Sequence, residues 1–234
     1  MQKNILITGQ PKAGKSFLLK KLVAGVPDKV GFVTNEVLRD GRRAGFEVES
    51  HTGQKAMLSH VDFKTERKVS KYFVDIEDFE SLLSRTGSFG RDDLLYIDEI
   101  GEMQLFSEKF RGQVSEFLDS ENICLATLSS VYEDDFIRDI KKRQDIVLVE
   151  ISPENRDEKG RFISLLLNKI EKARKYISEP ERFAVDGLAV TLKSEHGVRR
   201  LSREGTGWRC DCDFFKQNAI CSHSIATGEF IKSR

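Results

Sequence analysis

The sequence predicts an α/β protein with a mainly parallel sheet, followed by a small C-terminal domain of β-hairpins and a helix. Three observations carry this prediction. Short apolar runs at 5–7, 30–34, 93–99, 123–127 and 146–149 alternate with stretches whose apolar residues recur at helical spacing, the pattern of strands joined by crossover helices. The octapeptide Gly9-Gln10-Pro11-Lys12-Ala13-Gly14-Lys15-Ser16 sits between the first apolar run and the first helical stretch. From Phe183 the pattern changes to short alternating runs, which lead into three cysteines and a histidine.

The octapeptide is a complete phosphate-binding loop. Its glycines let the backbone wrap so that successive N–H groups point at one anion, Lys15 reaches the β- and γ-phosphates, and the Ser16 hydroxyl ligates Mg²⁺. Gly9, Gln10, Pro11, Lys12, Ala13, Gly14, Lys15 and Ser16, with Phe17 at the start of the helix, are the candidate nucleotide-binding residues. Two roles are open to Lys12: to add positive charge near the phosphates or to point into solvent.

The remaining elements follow in order. Gly25 and Pro27 close the first helix, and residues 30–34 form a second buried strand. Residues 35–60 depart from a plain βαβ repeat, with turns around Gly41 and Gly53 separated by an alternating run, and read as a β-hairpin insertion. It carries Arg42 and Arg43, which are either solvated surface charges or a route to bound triphosphate. Phe73, Ile76, Phe79, Leu82 and Leu83 predict a covering helix over 73–83. The run at 93–99 ends in Asp98 and Glu99, the form of a core strand whose carboxyl end faces the phosphate loop. An acid there holds Mg²⁺ and an adjoining Glu orients and deprotonates the attacking water, so Lys15, Asp98 and Glu99 are the candidate catalytic residues. Helices over 106–118 and 134–141 alternate with the strands at 123–127 and 146–149. Cys124, within an apolar strand, reads as a buried core thiol. Asn155 and Arg156 follow the last strand, where they either open the next helix or contact base or phosphates. A charged amphipathic helix runs over 156–176, and Ser178-Glu179-Pro180-Glu181 breaks it, which sets the expected domains at 1–177 and 183–234.

Residues 98–107, Asp-Glu-Ile-Gly-Glu-Met-Gln-Leu-Phe-Ser, resemble the signature of the nucleoside-triphosphatase family first described from thermophiles, which includes the cancer-related nucleoside triphosphatase. Gly31-Phe32-Val33-Thr34-Asn35-Glu36-Val37, Gly41-Arg42-Arg43-Ala44-Gly45-Phe46 and Glu154-Asn155-Arg156 are similar to further segments of that family. The resemblance spans nearly all of residues 1–175. It implies a RecA-like P-loop domain that hydrolyses several nucleoside triphosphates slowly and without strong base preference, with Arg43, Asn155 and Arg156 among the nucleotide-binding residues. Three positions depart from the family pattern: Lys12 stands for a glycine, Leu38 for an arginine and Gln104 for a glutamate. With one hairpin arginine absent, Arg43 carries more of the expected phosphate contact.

In the C-terminal part, turn signals at 186–187, 196–197 and 205–207 separate short alternating runs. They lead to Cys210-Asp211-Cys212 and, eight residues later, Cys221-Ser222-His223. Such pairs place two ligands apiece on an extended segment and at a helix start, the pairing a closed tetrahedral zinc site requires. Cys210, Cys212, Cys221 and His223 fill it, so the Zn²⁺ is expected to be structural; about fifty residues bury too little core without one. The arrangement resembles a SWIM-type zinc finger, which implies binding to DNA, RNA or other proteins. Residues 175–234 hold ten Lys and Arg against eight Asp and Glu, a balance of +2 too weak for nonspecific phosphate binding.

The whole chain of 234 residues has zero formal net charge with 32% charged residues, so no global footprint points to nucleic acid or an anionic membrane. It shows no apolar run of spanning length and no leader-like start, and its cysteines suit a reducing compartment; a cytoplasmic protein with no membrane partner is expected. The functional expectation is an Mg²⁺-dependent hydrolase that converts nucleoside triphosphates to diphosphates and phosphate, targeted or regulated by the finger. A nucleotide-gated binding switch and a nucleotide kinase stand as alternatives.

Overall fold

A computed structural model of the chain describes residues 1–205 and 207–233. Thr206, in one of the expected turns, and Arg234, within the charge count, lie outside the described residues. By contacts the chain divides into Lys3–Gly160 and a second unit of Arg161–Arg234 with Met1–Gln2.

The first unit is built on one nine-stranded sheet. Its strands are β1 (Asn4–Thr8), β2 (Lys29–Arg39), β3 (Arg42–Ser50), β4 (Lys55–His60), β5 (Lys68–Val69), β6 (Tyr72–Val74), β7 (Leu94–Ile100), β8 (Cys124–Leu128) and β9 (Ile146–Glu150). The order is β5-β6-β4-β3-β2-β7-β8-β1-β9. The five strands β2, β7, β8, β1 and β9 pair in parallel, whereas β3, β4, β6 and β5 extend the sheet antiparallel. The expected hairpin insertion is therefore a continuation of the central sheet, and β2 runs on to Arg39 because β3 pairs along its whole outer half.

Alternation along β1 shows why both faces are covered. Ile5, Leu6 and Ile7 are each fully buried. Leu6 joins a core with Phe32, Phe79, Phe110 and Val114, in which the three phenylalanine rings lie 5.6–6.1 Å apart. The helices α1 (Lys15–Val23), α2 (Ile76–Arg85), α3 (Glu108–Asp119) and α4 (Asp135–Lys142) supply the cover. Phe73 lies in β6 and not in a helix: it pairs with His60 and Lys68, and the Asp75 side chain accepts from the Glu77 and Asp78 N–H groups to start α2 at Ile76. The helix expected over 73–83 is corrected accordingly; an extended partner and a cap outweigh the apolar spacing. Cys124 is fully buried in β8, and burial pushes its thiol up to about 12.

The second unit contains most of α5 (Arg156–Ile177), then a four-stranded antiparallel sheet of β10 (Phe183–Asp186), β11 (Ala189–Ser194), β12 (Gly197–Glu204) and β13 (Gly207–Cys210), and the helices α6 (Asp213–Asn218) and α7 (Ser222–Lys232). Its core joins Phe183, stacked on Phe230 at 4.1 Å, with Val190, Leu192, Leu201 and Ile225. The contact division falls inside α5, earlier than the break at 178–181 used to set the expected domains. The last turns of α5 belong with the small sheet: Lys169 lies over the Phe214 ring at 4.8 Å, Lys172 pairs with Glu195 at 2.8 Å, and Tyr176 stacks on His223. No helix among the described residues is long and apolar enough to cross a membrane.

Candidate active site

The phosphate loop leaves β1 and ends at Gly14, which takes the left-handed conformation at φ 92° immediately before α1. A Cβ at Gly9 would lie 2.3 Å from the Ile151 carbonyl oxygen, so that position has no room for a side chain, whereas at Gly14 it would meet only the movable Arg156 side chain at 2.7 Å and the left-handed backbone is what favours glycine. The start of α1 differs from those of α2, α3 and α4. Asp75, Ser107 and Asp134 cap those three with side-chain oxygens and each carries an acid in its first turn, whereas α1 has neither. Its first N–H groups and the positive end of its dipole therefore face an open position suited to an anion.

Lys12 is exposed and holds φ 69°, so its side chain is in solvent and its backbone is in a region that favours glycine. Replacing it with glycine is expected to stabilise the first unit by about 1 kcal/mol, read as a rise of about 2–4 °C in Tm, because the left-handed strain exceeds the added freedom of the unfolded chain. An unchanged or lower Tm would remove the strain as an explanation for the glycine usual at this position.

Asp98 reaches the loop across an intervening strand. Strands β7 and β1 flank β8, and Thr127 at the end of β8 donates to Asp98 Oδ1 at 2.6 Å while Ser16 donates to the same oxygen at 2.9 Å. Asp98 is 1% exposed, and its Oδ2 is buried with no hydrogen-bond partner. Burial raises the Asp98 carboxyl above its ordinary value, with the bonds from Thr127 and Ser16 opposing. An unpartnered carboxylate oxygen beside a serine hydroxyl at a phosphate loop fits an oxygen-seeking divalent cation such as Mg²⁺. Glu99 is partly exposed, with Oε1 3.9 Å from Lys15 Nζ. Burial raises its carboxyl too, Lys15 opposes, and the neighbouring Asp98 adds to the rise. Lys15 Nζ also donates to the Gly9 carbonyl at 2.9 Å, which Ser130 Oγ contacts at 2.8 Å.

The other expected residues lie in two places. Asn155 and Arg156 come to the loop: the Arg156 guanidinium sits against Gly14 and over the Phe17 ring at 5.0 Å, and Asn155 Oδ1 accepts from the Ser152 N–H at 2.8 Å. Arg43 is engaged within the insertion, donating to Glu36 at 2.6 Å and to Tyr72 at 2.9 Å and lying over the Phe46 ring. It pairs opposite Leu38, four residues beyond Thr34, or roughly 13 Å farther along β2 than the level of Asp98. Sequence reasoning missed Thr127, Ser130, Thr34 and Gln104. Thr34 donates to the Asp98 carbonyl at 2.5 Å and receives a bond from Gln104 Nε2 at 3.3 Å, a donation a carboxylate could not make. A hydroxyl at the carboxyl end of an apolar strand, as in Thr127, was the available signal.

In the second unit Cys210, Cys212, Cys221 and His223 place one ligand atom each within 4.8 Å of one another, and His223 Nδ1 stands 3.6 and 3.7 Å from the Cys210 and Cys221 sulfurs. A tetrahedron with Zn–S bonds of about 2.3 Å has edges of about 3.8 Å, so the four donors fit one such ion. Cys221 caps α7, its sulfur accepting from the Ser224 N–H at 3.3 Å, and hydrogen bonding from Cys210, with His223 assisting, lowers its thiol below the ordinary value.

The fold and the loop define a P-loop protein whose carboxylates and hydroxyls converge at the carboxyl ends of parallel strands. Residues 4–164 match the family described as NTPase, and the chain belongs to that nucleoside-triphosphatase family. It is 38% identical over 174 residues to nucleoside-triphosphatase THEP1 of Thermotoga sp. (strain RQ2), covering 74% of this chain and 95% of that one. The cancer-related nucleoside-triphosphatase homolog of Mus musculus is 31% identical, covering 67% of this chain and 92% of the relative. The crystal structure of THEP1 from Aquifex aeolicus superposes with a TM-score of 0.61 at 34% identity, over 70% of this chain and 98% of that one.

Proposed function

We propose that the chain is an Mg²⁺-dependent nucleoside triphosphatase that releases nucleoside diphosphate and phosphate with broad base tolerance. The observation that carries this reading is the meeting of two segments 82 residues apart, Ser16 on the phosphate loop and Asp98 on β7, with Glu99 beside Lys15. Lys15 and the N–H groups at the start of α1 bind and orient the phosphates. Ser16 and the free Asp98 oxygen would hold Mg²⁺, which neutralises developing charge on the phosphates when bound. Glu99, the less buried member of the acid pair, accepts a proton from the attacking water. Names of the relatives support the reaction class, and the RecA-like arrangement accords with the parallel strands around the loop.

The C-terminal unit is proposed to be a SWIM-type zinc finger with a structural Zn²⁺ on Cys210, Cys212, Cys221 and His223, targeting the hydrolase to a nucleic acid or protein. A second reading, a slow nucleotide-gated switch, draws on the position of Arg43, which Glu36 and Tyr72 hold in the insertion. An arginine committed to the transition state is worth roughly 10³–10⁵ in rate, and its absence gives slow turnover. Phosphate release is expected from ATP, GTP, CTP and UTP, to stop on chelation of Mg²⁺ and to resume when it is restored. Phosphate transfer to an added nucleoside or nucleotide in place of release would make the protein a kinase and end the hydrolase reading.

A further inference from the structure

Asp98 and Glu99 lie in a gap in the pairing of β7. The ladder between β2 and β7 ends at Phe32 and Ile97, and the register of β7 against β8 breaks after Ile97 and resumes only where Ile100 stands opposite Leu128. Neither ladder fixes the peptide between the two acids. A side chain does so instead: Thr34 Oγ1, two residues past the end of the β2 ladder, donates to the Asp98 carbonyl at 2.5 Å. Thr34 has one proton to give and a carbonyl can only accept, so that proton is committed to Asp98. Whatever approaches Thr34 from its other side must donate, and Nε2 of Gln104 does so at 3.3 Å.

Gln104 is 6% exposed, a costly place for an amide whose polar groups are not used. It sits in the turn after β7, which is fixed at both ends: the Leu105 N–H donates to the Gly101 carbonyl at 3.0 Å, and the Ser107 N–H donates to the Gln104 carbonyl at 3.1 Å. The oxygen end of the same amide faces Gly101, where a Cβ would lie 3.4 Å from Gln104 Oε1 and 3.6 Å from Glu99 Cδ. One side chain thus reaches the Asp98 carbonyl through Thr34 and borders the space beside the Glu99 carboxyl.

We infer that Gln104 is a positioning residue for the hydrolytic step: by donating to Thr34 it keeps that hydroxyl on the Asp98 carbonyl, and so holds the peptide that joins Asp98 to Glu99 and aims the Glu99 carboxylate. The inference rests on the role of Glu99 in the hydrolase reading. A catalytic group displaced by about 1 Å loses up to roughly 10²-fold in rate. The contacts of Lys15 and the α1 N–H groups with the phosphates do not pass through Thr34, so binding is spared. Because Gln104 acts through Thr34, the two side chains form one unit, and removing either removes what the pair supplies.

Gln104→Met, which keeps the length of the side chain without its donor, Thr34→Val and the double variant are compared in the full chain. ATP affinity is read by calorimetry in saturating Mg²⁺, and phosphate release is followed separately. Each single variant is expected to lower kcat by roughly 10- to 100-fold with ATP affinity within about twofold of the parent, and the double variant to be no slower than the slower single variant. Parental kcat in Gln104→Met overturns the inference, as does a double variant whose loss is the product of the single losses, or a loss of ATP affinity that matches the loss of kcat. In a Glu99→Gln background, Gln104→Met is expected to slow release little further, since the group it aims no longer accepts a proton. Should Glu99→Gln alone release phosphate at the parental rate while Gln104→Met and Thr34→Val stay slow and coupled, the base assignment of Glu99 falls and Gln104 is upheld as the residue that positions the acid pair.

Discussion

Glu99→Gln is expected to lower kcat by about 10²–10⁴-fold while nucleotide affinity changes little, because the substitution removes a proton acceptor and leaves the phosphate contacts of Lys15 and the α1 N–H groups in place. The side chain keeps its size and its place 3.9 Å from Lys15. The pH profile gives an independent sign. Burial, with Asp98 adding, holds the Glu99 carboxyl above its ordinary value of 4.5, and Lys15 only partly opposes this. In the ligand-free protein the basic form that accepts the proton is therefore populated at higher pH than for a solvated glutamate, and kcat/KM of the parent, which reports the free enzyme, rises with pH through that raised pKa. The same shift means that the folded state binds this proton more tightly than the unfolded state. Its contribution to stability is present below the unfolded pKa and is lost as pH rises through the folded pKa. Glutamine does not titrate, so the ligand-free variant at neutral pH melts no lower than the parent, and lost turnover cannot be ascribed to unfolding. A variant that releases phosphate from ATP and GTP at the parental rate would falsify the assignment.

Cys210→Ser is expected to release the metal and unfold the sheet and helices that follow α5, with little effect on phosphate release. In the second unit Cys210 ends β13, Cys212 precedes α6 and Cys221 caps α7, so one ion would tie together the three elements that close a small core. Removing one ligand of a structural site removes folding free energy, since binding and folding are one equilibrium in domains of this size. Tyr176 would lose its stacking partner, His223, so the last turn of α5 is expected to exchange its amide hydrogens faster. Metal content, a circular dichroism melt and phosphate release are measured on the same preparation. Full zinc occupancy in the variant would remove Cys210 from the ligand set. Abolished hydrolysis, with the first unit still melting cooperatively, would make the finger part of the catalytic apparatus and end the two-module reading.

The site was only partly legible in the sequence. Gly14, Lys15, Ser16, Asp98 and Glu99 stand out because a loop between an apolar run and a helix, and two acids after an apolar run, are local patterns. Thr127 does not stand out, since its hydroxyl matters only because β8 lies between β7 and β1 and brings it to 2.6 Å from Asp98. Thr34 and Gln104 are 70 residues apart and meet only through the parallel pairing of β2 with β7 and the turn that follows β7. Arg43 shows the converse: the expectation for it came from resemblance, and the structure places its guanidinium among Glu36, Tyr72 and Phe46. The helix expected over 73–83 began too early for a similar reason, as the pairing of Phe73 with His60 is a long-range fact that local spacing does not contain.

By itself, the sequence determined the class of fold, the loop that joins β1 to α1, and the clustering of three thiols with one imidazole near the C-terminus. These are settled over a few residues, by where glycine permits a left-handed turn, where apolar side chains alternate and where ligand pairs are spaced for one ion. Tertiary structure alone decided that β9 and β8 would flank β1, and that Asp98 would reach Ser16 with one oxygen and leave the other unpartnered. Strand order and register follow from burying both faces of the sheet at once, and that condition binds residues a hundred positions apart that no local pattern connects.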